Sequence, residues 1–298
     1  SELVELKGTT LPEGVVKLLP GDGSGATPTA RDCFRVGALL SLANLASSQL
    51  LRASVPALAE AAESVATPQI RQLATLDGNV LQRPRCWYFR MKDFACRKKG
   101  GSDCYAIDGE NEYHAIFDNR SCAAVHASSC ATALVALDAI AAVQGPGGER
   151  FLRLASLLVS PSQPGGSPQR EHRLEPADVI TSFYIPRPLA TERSLYRKVK
   201  QKQSFDWPLA EIAISADVQG GAVRSAKVVL GAVAPVPMRA RSAEAALAKL
   251  GAQKPDAAVL RTIAKTVTEG ATPLAKNSYK VALTQGLFQS AAFELLAR

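Results

Sequence analysis

The first half of the chain alternates between apolar stretches with strand character and stretches with helical spacing. Residues 33–40 (CFRVGALL) predict a strand, and apolar positions at helical spacing predict a helix from about Ser41. A second helix is predicted over residues 55–65, because Pro56 suits its first turn and Thr67 precedes a proline that stops it. Two short strands are predicted nearer the start, at residues 3–6 and 15–19.

The middle of the chain is predicted to contain a turn, a helix and a strand. Gly78 and Asn79 mark a turn within residues 69–82. The alanine-rich residues 131–143 predict a helix that ends at the glycines after it, and residues 179–185 alternate like an edge strand. We place a domain boundary directly after this strand, at the Pro-Arg-Pro turn that closes a first domain of residues 1–188.

A second domain is predicted over residues 189–298. Residues 212–218 and 223–233 form a predicted hairpin through Gly220 and Gly221. Strands followed by helices are typical of an α+β fold. Three helices are predicted after the hairpin, over residues 242–250, 257–269 and 278–296.

Residues 83–122, here called the cysteine segment, have aromatic residues but little periodicity. A stretch of this length without regular elements is uncommon unless something orders it, and a bound metal centre can do so. Four thiolates suit tetrahedral zinc or an iron–sulfur cluster, although neither C-x2–4-C pairs nor compact ferredoxin spacings are present. Four unrelated cysteines, or a disulfide pair, remain open at this point. The segment's cysteines are Cys86, Cys96, Cys104 and Cys122.

Composition narrows the classes of protein. Of 298 residues, 47% are hydrophobic and 21% charged, and six are cysteine, too few for a disulfide scaffold. No apolar run reaches the roughly 18 residues that cross a bilayer, so we expect no direct membrane insertion and, from the first residues, no signal peptide. The net charge of +8 is scattered and no nucleic-acid motif is present. We therefore expect no nucleic acid, and either a solvated surface or a docking face for an acidic partner.

Four stretches of the chain resemble one family. ATPQIRQLATLDGNVLQRPRCWYFR, CYAIDGENEYHAIF, VLGAVAPVPMRA and PLAKNSYKV are similar to the FAD-binding (medium) subunit of the molybdenum hydroxylases, the xanthine dehydrogenase family, in its bacterial aldehyde oxidoreductase-like branch. The resemblance covers about residues 33–298. It implies an α+β chain: a remnant of a two-subdomain, PCMH-type FAD-binding domain, its first subdomain largely missing, then a C-terminal domain like that of the CO dehydrogenase flavoprotein.

The resemblance also implies site residues. Cys86, Cys96, Cys104 and Cys122 correspond to the ligands of a [4Fe–4S] cluster. The positions that correspond to FAD contacts are Thr75, Gly78, Asn79, Ser128, Tyr196 and Lys198.

Departures from the family pattern fall at the flavin site. Asp77 stands where the family has glycine, adding a Cβ and a negative charge where a pyrophosphate is expected. Ser129 stands in place of an aspartate and Lys202 in place of an arginine, whose bidentate contacts lysine cannot reproduce. The family's Ala-Gly-Gly-Thr-like loop is not found. The expectation is a chain that keeps the cluster and has lost FAD.

The implied function is electron transfer in a complex. This chain is expected to relay electrons through its cluster from a [2Fe–2S] small subunit towards an external acceptor, a protein or a quinone. A large subunit with the molybdenum cofactor is expected to hydroxylate the substrate. One alternative is a complete FAD-bearing subunit that reduces the acceptor; another is a zinc-binding or metal-free scaffold subunit. The expected location is the prokaryotic cytoplasm, or the periplasm by co-export with a partner.

Overall fold

A computed structural model describes residues 16–19, 28, 32–251 and 256–297. The strand predicted at residues 3–6 lies outside them. Two antiparallel sheets, each with its own helices, make up this part of the chain. The α+β prediction is confirmed.

The first sheet has the strand order β1-β2-β5-β3-β4. β5 was predicted to be an edge strand, but it lies in the centre and pairs with both β2 and β3. Alternation shows that one face of a strand is polar, not that one edge is unpaired; the polar Ser182 of β5 is buried and accepts a hydrogen bond from Arg35. The strands are β1 (Val16–Leu19), β2 (Cys33–Gly37), β3 (Ile140–Gly145), β4 (Gly148–Arg153) and β5 (Val179–Pro186).

Short capped helices pack on this sheet. The first of them begins at about Ser41, as predicted, and Ser41 caps it by accepting the amide of Asn44. The turn predicted around Gly78 is wrong, because residues 68–80 form two short helices whose N-caps are threonines. The helices are α1 (Leu42–Ser47), α2 (Gln49–Ser54), α3 (Pro56–Glu63), α4 (Pro68–Leu73) and α5 (Leu76–Val80).

The helix predicted over residues 131–143 is shorter than expected. α7 (Ser129–Ala136) ends before Asp138, whose φ of 52° breaks the helix, and the next residues enter β3. The run Ile140–Val143 is apolar throughout, and such a run suits a buried helix or a buried strand equally. A single turn of helix, α8 (Leu154–Leu157), follows β4.

The cysteine segment is mostly irregular, as predicted. It contains one short helix, α6 (Trp87–Arg90), and a 3-10 turn at Arg97–Lys99. Arg97 holds the segment together from within, because its guanidinium donates to the carbonyl oxygens of Ser102 at 2.8 Å and Arg120 at 3.1 Å. Tyr88 is buried and its hydroxyl accepts the amide of Glu110 at 2.7 Å.

The second sheet has the order β6-β7-β8-β9. The predicted hairpin is confirmed: Gly220 and Gly221 turn the chain with φ of 57° and 81°, values that favour glycine. The strands are β6 (Glu192–Lys200), β7 (Pro208–Gln219), β8 (Ala222–Gly231) and β9 (Met238–Arg239). β6 was not predicted. The three predicted helices are present as α9 (Arg241–Ala248), α10 (Ala257–Val267) and α11 (Tyr279–Ala297).

Candidate functional site

The structure brings the four cysteines of the cysteine segment to the wall of one small cavity: Cys86, Cys96, Cys104 and Cys122. All four are free thiols, two buried and two half-buried. Across the described residues, no group of three or more His, Cys, Asp or Glu side chains is arranged to hold a metal ion. Four thiols that line one cavity do not by that alone surround a single ion. The arrangement of these cysteines therefore lends no support to a single bound zinc ion.

The thiols differ in how readily they ionise. Burial raises the pKa of the Cys86 thiol to about 11, and its Sγ lies 3.2 Å from His114 Nε2. A hydrogen bond with the Cys122 thiol lowers the pKa of Cys104. Burial lowers the pKa of His114 to about 4. At neutral pH, His114 is therefore an uncharged imidazole beside a protonated Cys86.

Side chains of the second domain hold the cysteine segment from outside. Lys280 on α11 is fully buried and donates to the carbonyl oxygens of His114 at 3.1 Å and Ala232 at 2.7 Å. Asn277 donates to the carbonyl oxygens of His114 at 3.2 Å and Ala115 at 3.3 Å. Burial lowers the pKa of Lys280 to about 7. These buried donors contribute to the order of the segment.

The residues predicted to contact FAD lie around the N-terminal end of α7. Ser128, the N-cap residue of α7, accepts the amide of Ala131 at 2.9 Å and donates its hydroxyl to Asn79 Oδ1 at 2.6 Å. Thr75 is the N-cap residue of α5, and its hydroxyl oxygen accepts the amide of Gly78 at 3.3 Å. The hydrogen bond from Ser128 to Asn79 therefore joins the start of α7 to α5.

Tyr196 and Lys198 reach the same place from β6. They are two residues apart on the strand, so their side chains point to the same face of the sheet. Lys198 donates to the carbonyl oxygen of Ser64 at 2.5 Å. The Tyr196 hydroxyl is buried close to Ser129 and Glu211, but it forms no well-aligned hydrogen bond with any described residue. Burial, followed by Glu211, raises the pKa of Tyr196 far above its ordinary value.

Asp77 does not obstruct this site in the way the sequence suggested. It lies within α5 and does not have a positive φ, so its Cβ causes no backbone strain. Its carboxylate turns back to accept the amide of Gly78 at 2.7 Å and the hydroxyl of Thr75 at 2.5 Å. Burial raises its pKa, which favours the neutral form. The carboxylate that was expected to repel a pyrophosphate is therefore hydrogen-bonded within the first turn of α5.

Glu211 is a site residue that the sequence reasoning missed. Its carboxylate is buried on β7 and accepts hydrogen bonds from the hydroxyls of Ser129 at 2.5 Å and Thr132 at 3.2 Å. Gly231 on β8 leaves room for it, since a Cβ there would lie 2.3 Å from Glu211 Oε2. The available signal was a single acidic residue inside the apolar run LAEIAIS. Ser129, which replaces an aspartate of the family pattern, thus donates its hydroxyl to a carboxylate on strand β7.

Two cavities adjoin at these residues. Cavity A, about 360 Å³, lies against the cysteine segment and is lined by residues that include Arg85, Trp87, Tyr113, His114, Lys202 and Trp207. Cavity B, about 240 Å³, lies against α7 and β6 and is lined by residues that include Ala66, Ile70, Ser129, Lys198, Phe205 and Trp207. Trp207 lines both. None of the six candidate FAD residues lines cavity A, and Lys198 lines cavity B.

Two family models match the chain. The model described as "FAD binding domain in molybdopterin dehydrogenase" matches residues 27–188, and "CO dehydrogenase flavoprotein C-terminal domain" matches residues 194–295. In the described part of the chain, no helix has the length and apolar character needed to cross a membrane.

Curated relatives agree with the first match. The chain is 33% identical over 268 residues to the aldehyde oxidoreductase FAD-binding subunit PaoB of Escherichia coli K12, which covers 89% of this chain and 79% of that protein. It is 23% identical over 243 residues to a xanthine dehydrogenase FAD-binding subunit of Escherichia coli O157:H7. That match covers 81% of this chain but 61% of the relative.

Solved structures show the same fold. Carbon monoxide dehydrogenase from Hydrogenophaga pseudoflava superposes with a TM-score of 0.68 at 21% identity, covering 95% of this chain and 78% of that chain. Quinoline 2-oxidoreductase from Pseudomonas putida 86 superposes with a TM-score of 0.66 at 17% identity, with the same coverage. At this level of identity the likeness concerns the fold alone.

The cofactor expectation is corrected by these matches. A [4Fe–4S] cluster with FAD lost was expected, but the family model and the relatives point to FAD, and none of them names a cluster on the matching chain. Single substitutions do not disable the site by themselves. The Asp77 carboxylate accepts an amide within its own helix, and Ser129 is hydrogen-bonded to the carboxylate of Glu211.

Proposed function

This chain belongs to the FAD-binding subunits of the molybdenum hydroxylase family, and we propose that it binds FAD and delivers electrons from such a complex to an external acceptor. The FAD-binding family model over residues 27–188 and the PaoB match support this function. These matches favour the alternative hypothesis, a complete FAD-bearing subunit, over the hypothesis of a cluster relay.

Cavity B is the observation that carries the proposal. Its wall offers the Lys198 ammonium, the Ser129 hydroxyl and the indole of Trp207, and such apolar clefts with few polar groups are typical of cofactor sites. Close to Ser129, the buried Tyr196 hydroxyl has no well-aligned hydrogen bond among the described residues. A buried hydroxyl without a partner is costly unless a ligand completes it. Lys198 and Ser129 are therefore placed to contact polar atoms of a flavin that reaches into this cavity.

Each residue has a distinct task in this arrangement. Lys198 and Tyr196 are potential donors to carbonyl or hydroxyl oxygens of the flavin. Because the Ser129 hydrogen is donated to Glu211, its free lone pair is fixed as an acceptor. Thr75 caps α5, and Asn79 joins α5 to the start of α7 through its hydrogen bond with Ser128. When bound, FAD supplies a redox carrier that can receive and release electrons.

Partner chains are part of the proposal. A molybdenum-cofactor large subunit would hydroxylate the substrate, and a [2Fe–2S] small subunit would deliver the electrons to this chain. The external acceptor is a protein or a quinone. This chain would not contact the hydroxylated substrate. A cytoplasmic location, or a periplasmic one through co-export, stays a prediction.

The assembled complex provides the test. Under anaerobic conditions, addition of an aldehyde or N-heterocycle substrate is expected to bleach the flavin absorption band, and readmission of an acceptor to restore it. Lys198→Met is expected to lower the FAD content of the complex. Lys249→Met is the control, because Lys249 is exposed and does not line cavity B, and this variant is expected to keep its FAD. A complex that turns over substrate while its flavin band stays unchanged would contradict the proposed function.

A further inference from the structure

Cavity A is a second cavity, and of the flavin-site positions taken from the family pattern only Lys202 lines it. None of the six candidate FAD residues lines it. It is the larger of the two cavities, at about 360 Å³, within the usual range of roughly 300–1,000 Å³ for small-molecule sites. The two cavities meet at Asp206, Trp207 and Pro208. A molecule in cavity A would therefore touch the same indole as one in cavity B.

Flat aromatic groups form much of the wall of cavity A. Trp87 packs edge-on against Tyr113, with ring centroids 5.6 Å apart, and against His114, with centroids 5.4 Å apart. Trp207 of the second domain also lines this cavity. The Tyr113 hydroxyl donates to Gln201 at 2.6 Å and so joins the two sides. Rings arranged in this way accept a planar aromatic molecule by edge and face contacts.

Two cations lie at the same cavity. The guanidinium of Arg85 stacks over Trp207, with Cζ 4.6 Å from the ring centroid, and Lys202 is exposed at the cavity wall. Among the described residues Arg85 forms one hydrogen bond, to Gln82 at 3.2 Å, and a guanidinium carries five N–H donors. Its remaining donors are available to oxygen atoms of a ligand. The cavity thus combines aromatic walls with cationic donors at one end.

We propose that cavity A binds a planar quinone, whose ring lies among the aromatic side chains and whose carbonyl oxygen accepts hydrogen bonds from Arg85. The inference rests on the proposed function, because a quinone in contact with Trp207 would lie beside the flavin cavity. There it would take the two electrons and two protons of reduced FAD, leaving oxidised FAD and a hydroquinone. Simple aromatic hydrocarbons would have the ring contacts without the hydrogen bonds. The carbonyl oxygens are therefore the feature that the site recognises.

Tryptophan fluorescence reports directly on this cavity. The chain has two tryptophans, Trp87 and Trp207, and both line cavity A. The probe is tetramethyl-1,4-benzoquinone, whose ring carbons are all substituted, so that it reacts slowly with the nearby Cys86 thiol. Calorimetry of the same titration separates binding from collisional quenching. Tetramethylbenzene, which lacks the carbonyl oxygens, is the control ligand.

Variants of two neighbouring arginines provide the matched comparison. Arg85→Ala is expected to weaken quinone binding about tenfold, the effect of losing one hydrogen bond from a charged donor. Arg85→Lys is expected to recover most of the affinity, because it keeps a cationic donor. Arg83→Ala is the control, because Arg83 pairs with Glu171 and does not line the cavity. The dissociation constant of the quinone from this variant is expected to match that from the parent chain.

The outcomes separate this inference from the proposed function. Saturable quinone binding that Arg85→Ala weakens and Arg83→Ala does not, with FAD retained, supports the site. Equal binding in all variants, or equal binding of tetramethylbenzene, overturns it. Release of one FAD per quinone bound overturns it too, because cavity A then belongs to the flavin, while the proposed function stands. Selective quinone binding to a chain that takes up no FAD supports the site and removes the proposed function.

Discussion

The second sheet and the cysteine segment lie side by side, yet different interactions stabilise them. Strands β6 to β9 satisfy their backbone groups by regular pairing, with one turn at Gly220-Gly221. The cysteine segment has few such pairs, and buried side chains donate to its carbonyl oxygens instead. Lys280 and Asn277, both from the second domain, bind the chain around His114.

This difference shows where each region is vulnerable. A sheet distributes its hydrogen bonds over many residues, so one side chain matters little to the ladder. The cysteine segment depends on a few buried polar side chains, and an unsatisfied buried carbonyl group costs about 1–3 kcal/mol. The segment is therefore expected to respond to single substitutions and to acid, while the sheet responds to steric changes at its backbone.

Acid is expected to produce the largest difference between the two regions. Burial lowers the pKa of both His114 and His126 to about 4, below the value of about 6.5 for an exposed histidine. Below pH 6.5 the unfolded chain therefore binds more protons than the folded one, and stability falls as the pH falls towards 4. The loss is about 2 kcal/mol per histidine at pH 5.

Urea unfolding between pH 7.5 and 5 measures this loss. The double variant His114→Gln/His126→Asn keeps hydrogen-bonding atoms near the original ring nitrogens and is expected to have a flatter pH profile. Hydrogen exchange should show the loss in the cysteine segment before it appears in β7. A parent chain whose stability is unchanged over this pH range would remove the explanation.

Lys280→Met tests the outside support of the cysteine segment. The substitution leaves the carbonyl oxygens of His114 and Ala232 without their buried donor, and the free energy of unfolding is expected to fall by about 3 kcal/mol. Amide exchange should quicken around residues 113–115 and stay slow in β7. The exposed Lys265→Met is the control and is expected to change stability by less than about 0.5 kcal/mol. Equal stability of the two variants would contradict the role given to Lys280.

Gly231→Ala tests the backbone of the second sheet. The new Cβ would lie 2.3 Å from Glu211 Oε2 and 2.4 Å from Thr132 Oγ1, and such overpacking is expected to cost about 2 kcal/mol. In a Glu211→Ala background the cost should shrink, because the nearest atom is gone. Gly147→Ala, with open space around it, is the matched control. If the cost is the same in both backgrounds, Glu211 is not the obstacle.

The smallest expected effect is that of Tyr196→Phe on stability. Its buried hydroxyl has no well-aligned hydrogen bond among the described residues, so removing it should raise the free energy of unfolding of the FAD-free chain by about 1 kcal/mol. FAD affinity should nevertheless fall about tenfold if that hydroxyl donates to the flavin. Unfolding curves without FAD and FAD titrations measure the two effects. Unchanged FAD affinity would remove Tyr196 from the site.

The sequence predicted elements whose signals are local. Ser41 caps a helix, Pro56 begins one, and Gly220-Gly221 turn a hairpin, because each depends on near neighbours in the chain. The helix predicted across Ile140–Val143 is wrong, since a uniformly apolar run has no period that distinguishes a helix from a strand. The central place of β5 could not be read either, because strand order depends on distant partners.

The candidate site shows the same limit. The gathering of Asn79, Ser128, Tyr196 and Lys198 followed from the resemblance, whereas the roles of Glu211 and Lys280 depend on three-dimensional contacts. Asp77 was misjudged because its residue type was visible and its hydrogen bonds were not. A substitution that looks disabling in a family pattern can be neutralised by a neighbour that the pattern does not include.

Flavin content tests the central claim most directly. The chain, purified without denaturant, is saturated with FAD, separated from free FAD, and denatured to release and quantify what it retained. The account predicts close to one FAD per chain, with less in Lys198→Met and a normal amount in Lys249→Met. A folded chain that retains no FAD at any concentration offered would contradict the assignment of cavity B and with it the proposed function.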